Sequence, residues 1–346
     1  SSPLSAHGIQ IIDEHQIDCD FSWRPAYIYT QSDDFVKQIE DETNLASSLG
    51  IKASYQNNLP LPFPVKLAMR FDDQAQFHPL KYLKALAQKV TAGGNQIFEQ
   101  TEAINLENPS NPTIVTRNGR KIKASKVIIA SHFPFFDGGG LYFMKMFLEK
   151  SYVIATRIEE TFPNGMFISL EDPARSLRSQ LMEDGSEMVL FAGEHHKTGP
   201  KEDTNIHYQN LMEFANQNYK LENILYRWST QDCMTIDGVP YVGNLTVGSP
   251  NIYVATGFGK WGMSNGTAAA TILTDLLTKG DSPYAQVYNP ARLITSGSSF
   301  NTFVVQNTDV AKSFVTGKLA ELAKDCELSK GEAEIIKFEE DRIGAY

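Results

Sequence analysis

The chain has 346 residues, 42% hydrophobic and 21% charged, with a formal net charge of −10. A chain of this length buries a large core without staples and suggests roughly two domains. The acid excess argues against a nucleic-acid backbone or an anionic membrane as the main partner. Three cysteines, Cys19, Cys233 and Cys326, form no Cys-x-x-Cys pattern. That sparse count fits a reducing compartment, and a cytoplasmic location is expected. No apolar run reaches the roughly 18 residues of a membrane span, and no charged-then-apolar leader opens the chain.

In chain order, residues 1–16 read as weakly helical, and Pro25 to Thr30 (PAYIYT) as a strand. In SDDFVKQIEDETNLASSLG, Ser32 is placed to cap a helix with an acidic first turn that Gly50 ends. LPFPVKLAMRFDDQAQ reads as extended chain that its prolines push to a sheet edge, because proline has no N–H for an inner ladder. HPLKYLKALAQKVTAGG sets Leu80, Leu83, Leu86 and Val90 at helical spacing; His78 precedes Pro79 at the helix start, and Gly93-Gly94 stops it. QIFEQ, AINLE and PTIVTRNGRKIKA follow as short strands, the last a hairpin around Asn118-Gly119. KVIIASH is a continuous apolar run, the mark of a buried parallel strand. LYFMKMF, SYVIATRI, GMFISLE and EMVLFAGEH alternate as sheet, and YQNLMEFANQNY reads as a helix. NIYVATGF is a second buried strand, followed by a helix in NGTAAATILTDLLTKG capped by Asn265 or Thr267 and closed by Gly280. Beyond Tyr288 come a Ser/Gly stretch (SGSSFNTF), a short helix (DVAKSFVTGKLAELAK) and an alternating hairpin (GEAEIIKFEEDRIGAY). Fold class is therefore mixed α/β (α+β), with α/β pieces interleaved around a block of antiparallel sheet and helices on one face of that sheet.

The strongest local signal runs from Asn251 to Leu277, where a buried strand enters Gly257-Phe258-Gly259-Lys260-Trp261-Gly262 and then a helix. Three glycines permit close backbone approach to a ligand and positive φ. The helix start offers free N–H groups and a positive dipole end to a phosphate or delocalised anion. On local grammar alone, a tight turn without any ligand accounts for the glycines equally well.

This segment resembles the C-terminal flavin-contacting motif of the D-amino-acid oxidase (glycine oxidase, sarcosine oxidase) superfamily: a strand, then A-T-G-x-x-x-x-G, then a small-residue helix. Three further pieces resemble the family in the right order. TIDGVPYVG is similar to its D-G-x-P-x-I-G element, here Asp237, Gly238, Pro240 and Gly243. The helix and strands from His78 to Glu107 resemble a unit whose backbone at Ala103 and Ile104 lies on the adenine side, and KVIIASHFP resembles the strand before a flavin-facing turn at Ala130, Ser131 and His132. The resemblance spans about Pro25 to Leu277. It implies FAD, held in part by Gly257, Phe258, Gly259, Trp261, Gly262, Met263 and Ser264. It also implies a Rossmann unit with G-x-G-x-x-G preceding all of these segments. No such unit occurs here, so the chain is expected to start after it and to hold FAD weakly or not at all. GEAEIIKFEEDRIGAY resembles the opening strands of a Rieske-type domain carried by some bacterial members, or is an ordinary surface hairpin; the Cys-x-His-type pairs that would ligate a [2Fe–2S] cluster are not in this chain.

Flavin amine oxidation asks that a substrate carbon sit against flavin N5 and that ring charge be stabilised. Lys260 is the candidate catalytic residue, able to supply positive charge near the ring or to be a solvated loop lysine. Amino-acid oxidases of the family grip the substrate carboxylate with an arginine shortly before the D-G-x-P element; the residue in that register here is Asp232. Arg175 and Arg178 are the candidates to replace it, and otherwise are structural. His195, beside His196 and Lys197, is a further substrate candidate, with a surface loop the plainer reading. Cys233-Met234 matches a dipeptide that bonds covalently to flavin in some sarcosine-oxidase-like members, though a buried inert thiol is the expectation. No set of residues has metal-ligand spacing, so no protein-bound metal is expected.

The resulting expectation is an FAD-dependent oxidoreductase acting on a C–N bond of a small-molecule amine or amino acid. Its electron acceptor would be a Rieske cluster or oxygen, and the chain alone would be inactive. The competing reading is a binding module that keeps the fold without cofactor; an upstream G-x-G-x-x-G unit in the gene separates the two. The expected division is a flavin-domain helical remnant over 1–24, substrate domain over 25–95 and 138–236, flavin domain over 96–137 and 237–290, and a linker with the start of a Rieske-like domain over 291–346. An exposed flavin-side layer predicts self-association.

Overall fold

A computed structural model describes residues 3–199, 203–292, 306, 334–338 and 341–345. In chain order these form α1 (Pro3–His15), β1 (Ser22–Trp23), β2 (Ala26–Thr30), a 3-10 turn (Asp33–Phe35), α2 (Val36–Ser48), β3 (Ala53–Gln56), β4 (Leu67–Phe71), β5 (Ala75–Gln76), α3 (Pro79–Ala92), β6 (Ala103–Glu107), β7 (Thr113–Thr116), β8 (Lys121–Lys123) and β9 (Val127–Ile129). They continue with α4 (Tyr142–Lys145), β10 (Met146–Ile158), β11 (Met166–Ser169), β12 (Arg175–Leu181), β13 (Glu187–Lys197), α5 (Asn205–Asn218), β14 (Leu221–Thr235), β15 (Tyr241–Asn244), β16 (Ile252–Thr256), α6 (Gly262–Thr278), α7 (Ala285–Tyr288), β17 (Glu334–Phe338) and β18 (Asp341–Ala345).

Eight strands make the main sheet, in the order β14-β10-β13-β12-β11-β2-β4-β3. All its pairs are antiparallel except β11 with β2. Register assigns its two faces, because directly paired residues point the same way. One cross-strand row reads Arg227, Ile154, Phe191, Leu177, Phe167 and Tyr27. Its apolar members share a core with Leu211 and Ala215 of α5. The neighbouring row, Trp228, Val153, Ala192, Ser176, Ile168 and Ile28, points the opposite way.

A second sheet sets β16 between β15, antiparallel, and β9, parallel. Ala269, Ile272 and Leu273 of α6 pack on its Val242, Tyr253 and Ala255, while Val127, Ile129 and Val254 turn to a separate core with Tyr142 and Tyr241. The second edge of β9 pairs with no described strand, and Ile128 there is 44% exposed. β6, β7 and β8 form a small antiparallel sheet, and β17 pairs with β18 as the alternation predicts.

Several expectations are corrected. Helices lie on both faces of the main sheet. In β2, Tyr27 and Tyr29 turn to the α5 core, whereas Ile28 joins Leu67, Met69 and Ile39 of α2 on the other side. β4 is an inner strand, paired with both β2 and β3, because its prolines end at Pro64 and the strand begins at Leu67. QIFEQ forms no strand. LYFMKMF divides into α4 and the start of β10. In α3 the buried side chain is Tyr82, packed with Ile12, Ile17 and Cys19; Leu80, Leu83 and Val90 are exposed. His195, His196 and Lys197 end strand β13 and do not form a loop. Ser32 does cap, accepting from Asp34 N, but for the 3-10 turn ahead of α2. The helix expected at DVAKSFVTGKLAELAK and the Ser/Gly stretch lie outside the described residues.

Candidate functional site

The turn after β16 is shaped by two positive-φ glycines, Gly257 (φ 74°) and Gly259 (φ 55°). A Cβ at Gly257 would collide with Cγ2 of Thr235 and meet Sδ of Met146 at 3.4 Å. The position therefore needs glycine for its backbone and for its contact with the end of β14. Gly259 N donates to Cys233 O at 3.0 Å, Trp261 N to Phe258 O at 3.1 Å, and Asn265 Nδ2 to Phe258 O at 3.1 Å. α6 starts at Gly262, not at the expected Asn265 or Thr267, with Trp261 at the capping position and no side-chain cap. Its first backbone N–H groups, at Gly262, Met263 and Ser264, therefore point out of the helix start, and Trp261 beside them is 73% exposed.

The turn after β9 approaches from the side. Thr256 Oγ1 donates to His132 O, and His132 (φ 66°) presents Nε2 to Gln231 O at 2.7 Å. A carbonyl only accepts, so Nε2 carries the proton. Ser131 Oγ donates to Phe133 O at 2.8 Å, and Ala130 and Ser131 are exposed.

Lys260 reaches across to the main sheet. Its Nζ lies 3.1 Å from Glu149 Oε2, 3.1 Å from Ser151 Oγ and 3.4 Å from Asp232 Oδ2. The three charged side chains are 39%, 21% and 13% exposed for Lys260, Glu149 and Asp232. Glu149 and Asp232 are direct cross-strand partners, and by alternation they share the face of Val153 and Trp228, away from α5. The glycine turn thus sits over the sheet face that α5 leaves open, with its one cation set between two carboxylates. Alongside, Phe133, Phe143, Met146, Phe147 and Lys197 help line a cavity of about 250 Å³.

Other candidates are occupied differently. Asp237 is held by Arg292 through two 2.7 Å bonds, and that guanidinium lies 3.9 Å from the Tyr241 ring centroid. Burial alone would raise the Asp237 carboxyl, but the bonds and charge of Arg292 keep it below the usual range. Arg175 pairs with Glu194 and stacks over Phe214 of α5, on the far face. Glu194 also accepts from Asn210 Nδ2 at 2.8 Å and faces His207 Nδ1 at 3.1 Å. His196 stacks on His207 and contacts the Tyr152 hydroxyl at 2.9 Å, and His195 is 3.8 Å from Asp172. Cys233 is fully buried; burial first, and then the Asp232 charge, push its thiol up to about 11. Ile104, near the start of β6, is exposed; Ala103 beside it is half-buried.

Residues 3–276 match the family described as DAO, FAD dependent oxidoreductase. The chain belongs to this family. Over 337 residues it is 39% identical to the protein named "Putative Rieske 2Fe-2S iron-sulfur protein YhfW" of Bacillus subtilis (strain 168), covering 97% of this chain and 66% of that protein. The chain therefore spans just under two thirds of that relative's length. The fold is also that of glycine oxidase from Geobacillus kaustophilus, with a TM-score of 0.71 at 16% identity over 84% of this chain and 80% of the other. L-proline dehydrogenase from P. horikoshii gives 0.68 at 18% identity, over 84% and 82%. No described helix is long and apolar enough to cross a membrane.

As a DAO-family chain it has residues that fit the ring end of FAD. Gly257 and Gly259 admit close backbone approach, the uncapped start of α6 supplies outward N–H groups, and exposed Trp261 offers apolar surface beside them. The described residues hold no strand, G-x-G-x-x-G turn and helix for a pyrophosphate. Sequence reasoning placed Lys260 and Asp232 near the site but missed that they meet, and missed Glu149 entirely. Its signal was available only through the β10–β14 register.

Proposed function

We propose that this chain builds the flavin-ring end and the substrate wall of an FAD-dependent oxidoreductase that oxidises a C–N bond of an amine or amino acid. The observation that carries this reading is the opposition of the Gly257–Gly262 turn to the open sheet face through Lys260, Glu149 and Asp232. FAD, when bound, supplies a two-electron acceptor for hydride. The chain's own groups do the rest. The outward N–H groups of Gly262, Met263 and Ser264, with the backbone of Gly257, Phe258 and Gly259, hold the ring's polar edge. Trp261 and the aromatic cavity wall exclude water, and Lys260, its charge answered by Glu149 and Asp232, ties the glycine turn to the sheet face. Ala103, Ile104, Ala130 and Ser131 line the approach of the rest of the cofactor. Asp237 and Gly238 act indirectly, by fixing the turn into β15 through Arg292.

We assign residues 25–95 and 138–236 to a substrate domain and 96–137 and 237–290 to a flavin domain. For the electron acceptor we propose a Rieske-type [2Fe–2S] centre, the group in the name of the Bacillus subtilis relative. No group of three His, Cys, Asp or Glu side chains among the described residues could hold a metal ion. The test is anaerobic mixing of the FAD-loaded protein with primary, N-methylated and cyclic amines and amino acids while the flavin band is followed. Bleaching by a member of the panel supports the reading. A bound flavin that no amine bleaches, but that dithionite does, sinks it.

A further inference from the structure

His132 is held at both of its ends. Thr256 Oγ1, one residue before Gly257, donates to its carbonyl, and its own Nε2 donates to Gln231 O, one residue before Asp232. Gln231 and Cys233 are two residues apart on edge strand β14, so their carbonyls point the same way, and Gly259 N donates to the second. The turns after β9 and β16 thus dock on neighbouring outward carbonyls, roughly 7 Å apart. The imidazole stands between the glycine turn and the sheet face that Lys260 reaches. Its backbone lies at φ 66°, in the left-handed region that residues with a Cβ enter rarely and that the surrounding structure must hold in place.

The same hydrogen bond decides the chemistry of the ring. With the proton on Nε2, a neutral imidazole carries its lone pair on Nδ1. Nδ1 makes no hydrogen bond among the described residues, and His132 is exposed. The other ionisable groups on this side are engaged or unsuited. Glu149 and Asp232 face Lys260. Cys233 is buried, its thiol pushed up first by that burial. Arg178 lies on the open face, in register with Leu190, and pairs with no described side chain, but a guanidinium keeps its proton and takes no second one. A donor that only tied the turn to β14 would not need a basic nitrogen behind it; an amide N–H would serve.

We propose that His132 is the base that takes the proton from the substrate's amine nitrogen. This rests on the oxidoreductase reading and assigns the proton step within it. An alkylamine reaches the site at neutral pH as an ammonium ion, whose nitrogen has no lone pair to give. Nδ1 accepts one N–H proton, leaving a neutral amine and an imidazolium. The freed nitrogen lone pair then forms the C=N bond as the carbon's hydrogen departs with its electron pair to the two-electron acceptor that FAD supplies. An ammonium and a neutral imidazole become an iminium and an imidazolium, and the acceptor gains one hydride, so charge and electrons balance.

Two substitutions separate a base from a tie. His132→Gln keeps an amide N–H for Gln231 O but has no basic nitrogen, and His132→Ala removes both. The first readout needs no cofactor. In the full chain labelled with nitrogen-15 histidine, long-range proton–nitrogen spectra should show His132, assigned by its absence from H132Q, as the Nε2–H tautomer that gains its second proton at Nδ1 on acidification. The second follows anaerobic bleaching of the FAD-loaded protein at saturating benzylamine, N-methylglycine or proline. The wild-type rate should fall as acid protonates the ring. H132Q should be slower by roughly 100-fold or more and should lose that pH dependence, with its unfolding midpoint unchanged. H132A should regain rate on addition of imidazole. An Nδ1–H tautomer overturns the proposal whether or not FAD is bound. So does H132Q that bleaches at the wild-type rate, or that slows but keeps the wild-type pH dependence; either marks His132 as a tie alone, and the oxidoreductase reading stands. Wild type that no amine bleaches sinks that reading and the base with it.

Discussion

Gly257→Ala tests how firmly the turn after β16 is specified. At φ 74° an L-residue pays about 1–2 kcal/mol against the following carbonyl. The new methyl must also displace Thr235 Cγ2 and press on Met146 Sδ, an overpacking cost of about 1–3 kcal/mol in a tight core. The expected loss is therefore about 2–5 kcal/mol, the sum of the two contributions, read by urea unfolding with an unchanged m-value. Thr235→Ser deletes the offending Cγ2, so the double variant should recover the overpacking part and keep the backbone part. Recovery of none of the loss would mean the clash is absorbed elsewhere; recovery of all of it would mean the backbone is unstrained. A single variant within about 0.5 kcal/mol of wild type would refute both parts of the reasoning.

Two further outcomes follow from buried groups. Glu194 is pushed up by burial, but bonds from Asn210 and His207 and the charge of Arg175 prevail and hold its carboxyl below the usual range. A lowered native pKa gives stability that is present above the unfolded carboxylate value, near 4, and lost as pH falls through the native one. Glu194→Gln should therefore cost about 3–5 kcal/mol at pH 7, by stranding Arg175, and should flatten the acid limb of the stability curve; an unchanged limb in urea titrations from pH 3 to 7 (roughly the span of interest) counts against the assignment. Cys233, fully buried with a thiol raised to about 11, should resist maleimide in the folded chain and form no flavin bond. Acid-precipitated holoprotein that stays yellow would contradict this, and Cys233→Ala should leave flavin retention unchanged.

Much of the framework was legible because it is written in local patterns. β9 and β16 are short apolar runs, and β7 and β8 flank an Asn-Gly turn with Gly119 at φ 77°. What was not legible depends on partners distant in sequence. β14 is a 15-residue strand with mostly exposed side chains, so it carries no burial period, and its identity comes from pairing with β10. Leu80, Leu83 and Val90 keep helical spacing yet face outward, because Tyr82 with Ala85 and Leu86 meets α1 and Cys19 instead. α6 begins three residues before Asn265, since that side chain is used to hold Phe258 O. The same limit applied to the site. Asp232 was visible as a departure from arginine, but its pairing with Lys260, and the lack of any partner for Arg178, are properties of a register.

β14 lies at the edge of its sheet with one neighbour, so little but side-chain preference prevents it from sliding. A slip of one residue would carry Asp232 to the α5 side and bring Cys233 out toward the cofactor turn. Gly259 N bonded to Cys233 O, and Lys260 bonded to Asp232, work against that slip from outside the sheet. The strand positions the turn, and the turn adds to the β10 pairing that keeps the strand in step. Loss of the glycine turn should therefore be felt as frame-shifted pairing along β10, well away from the cofactor.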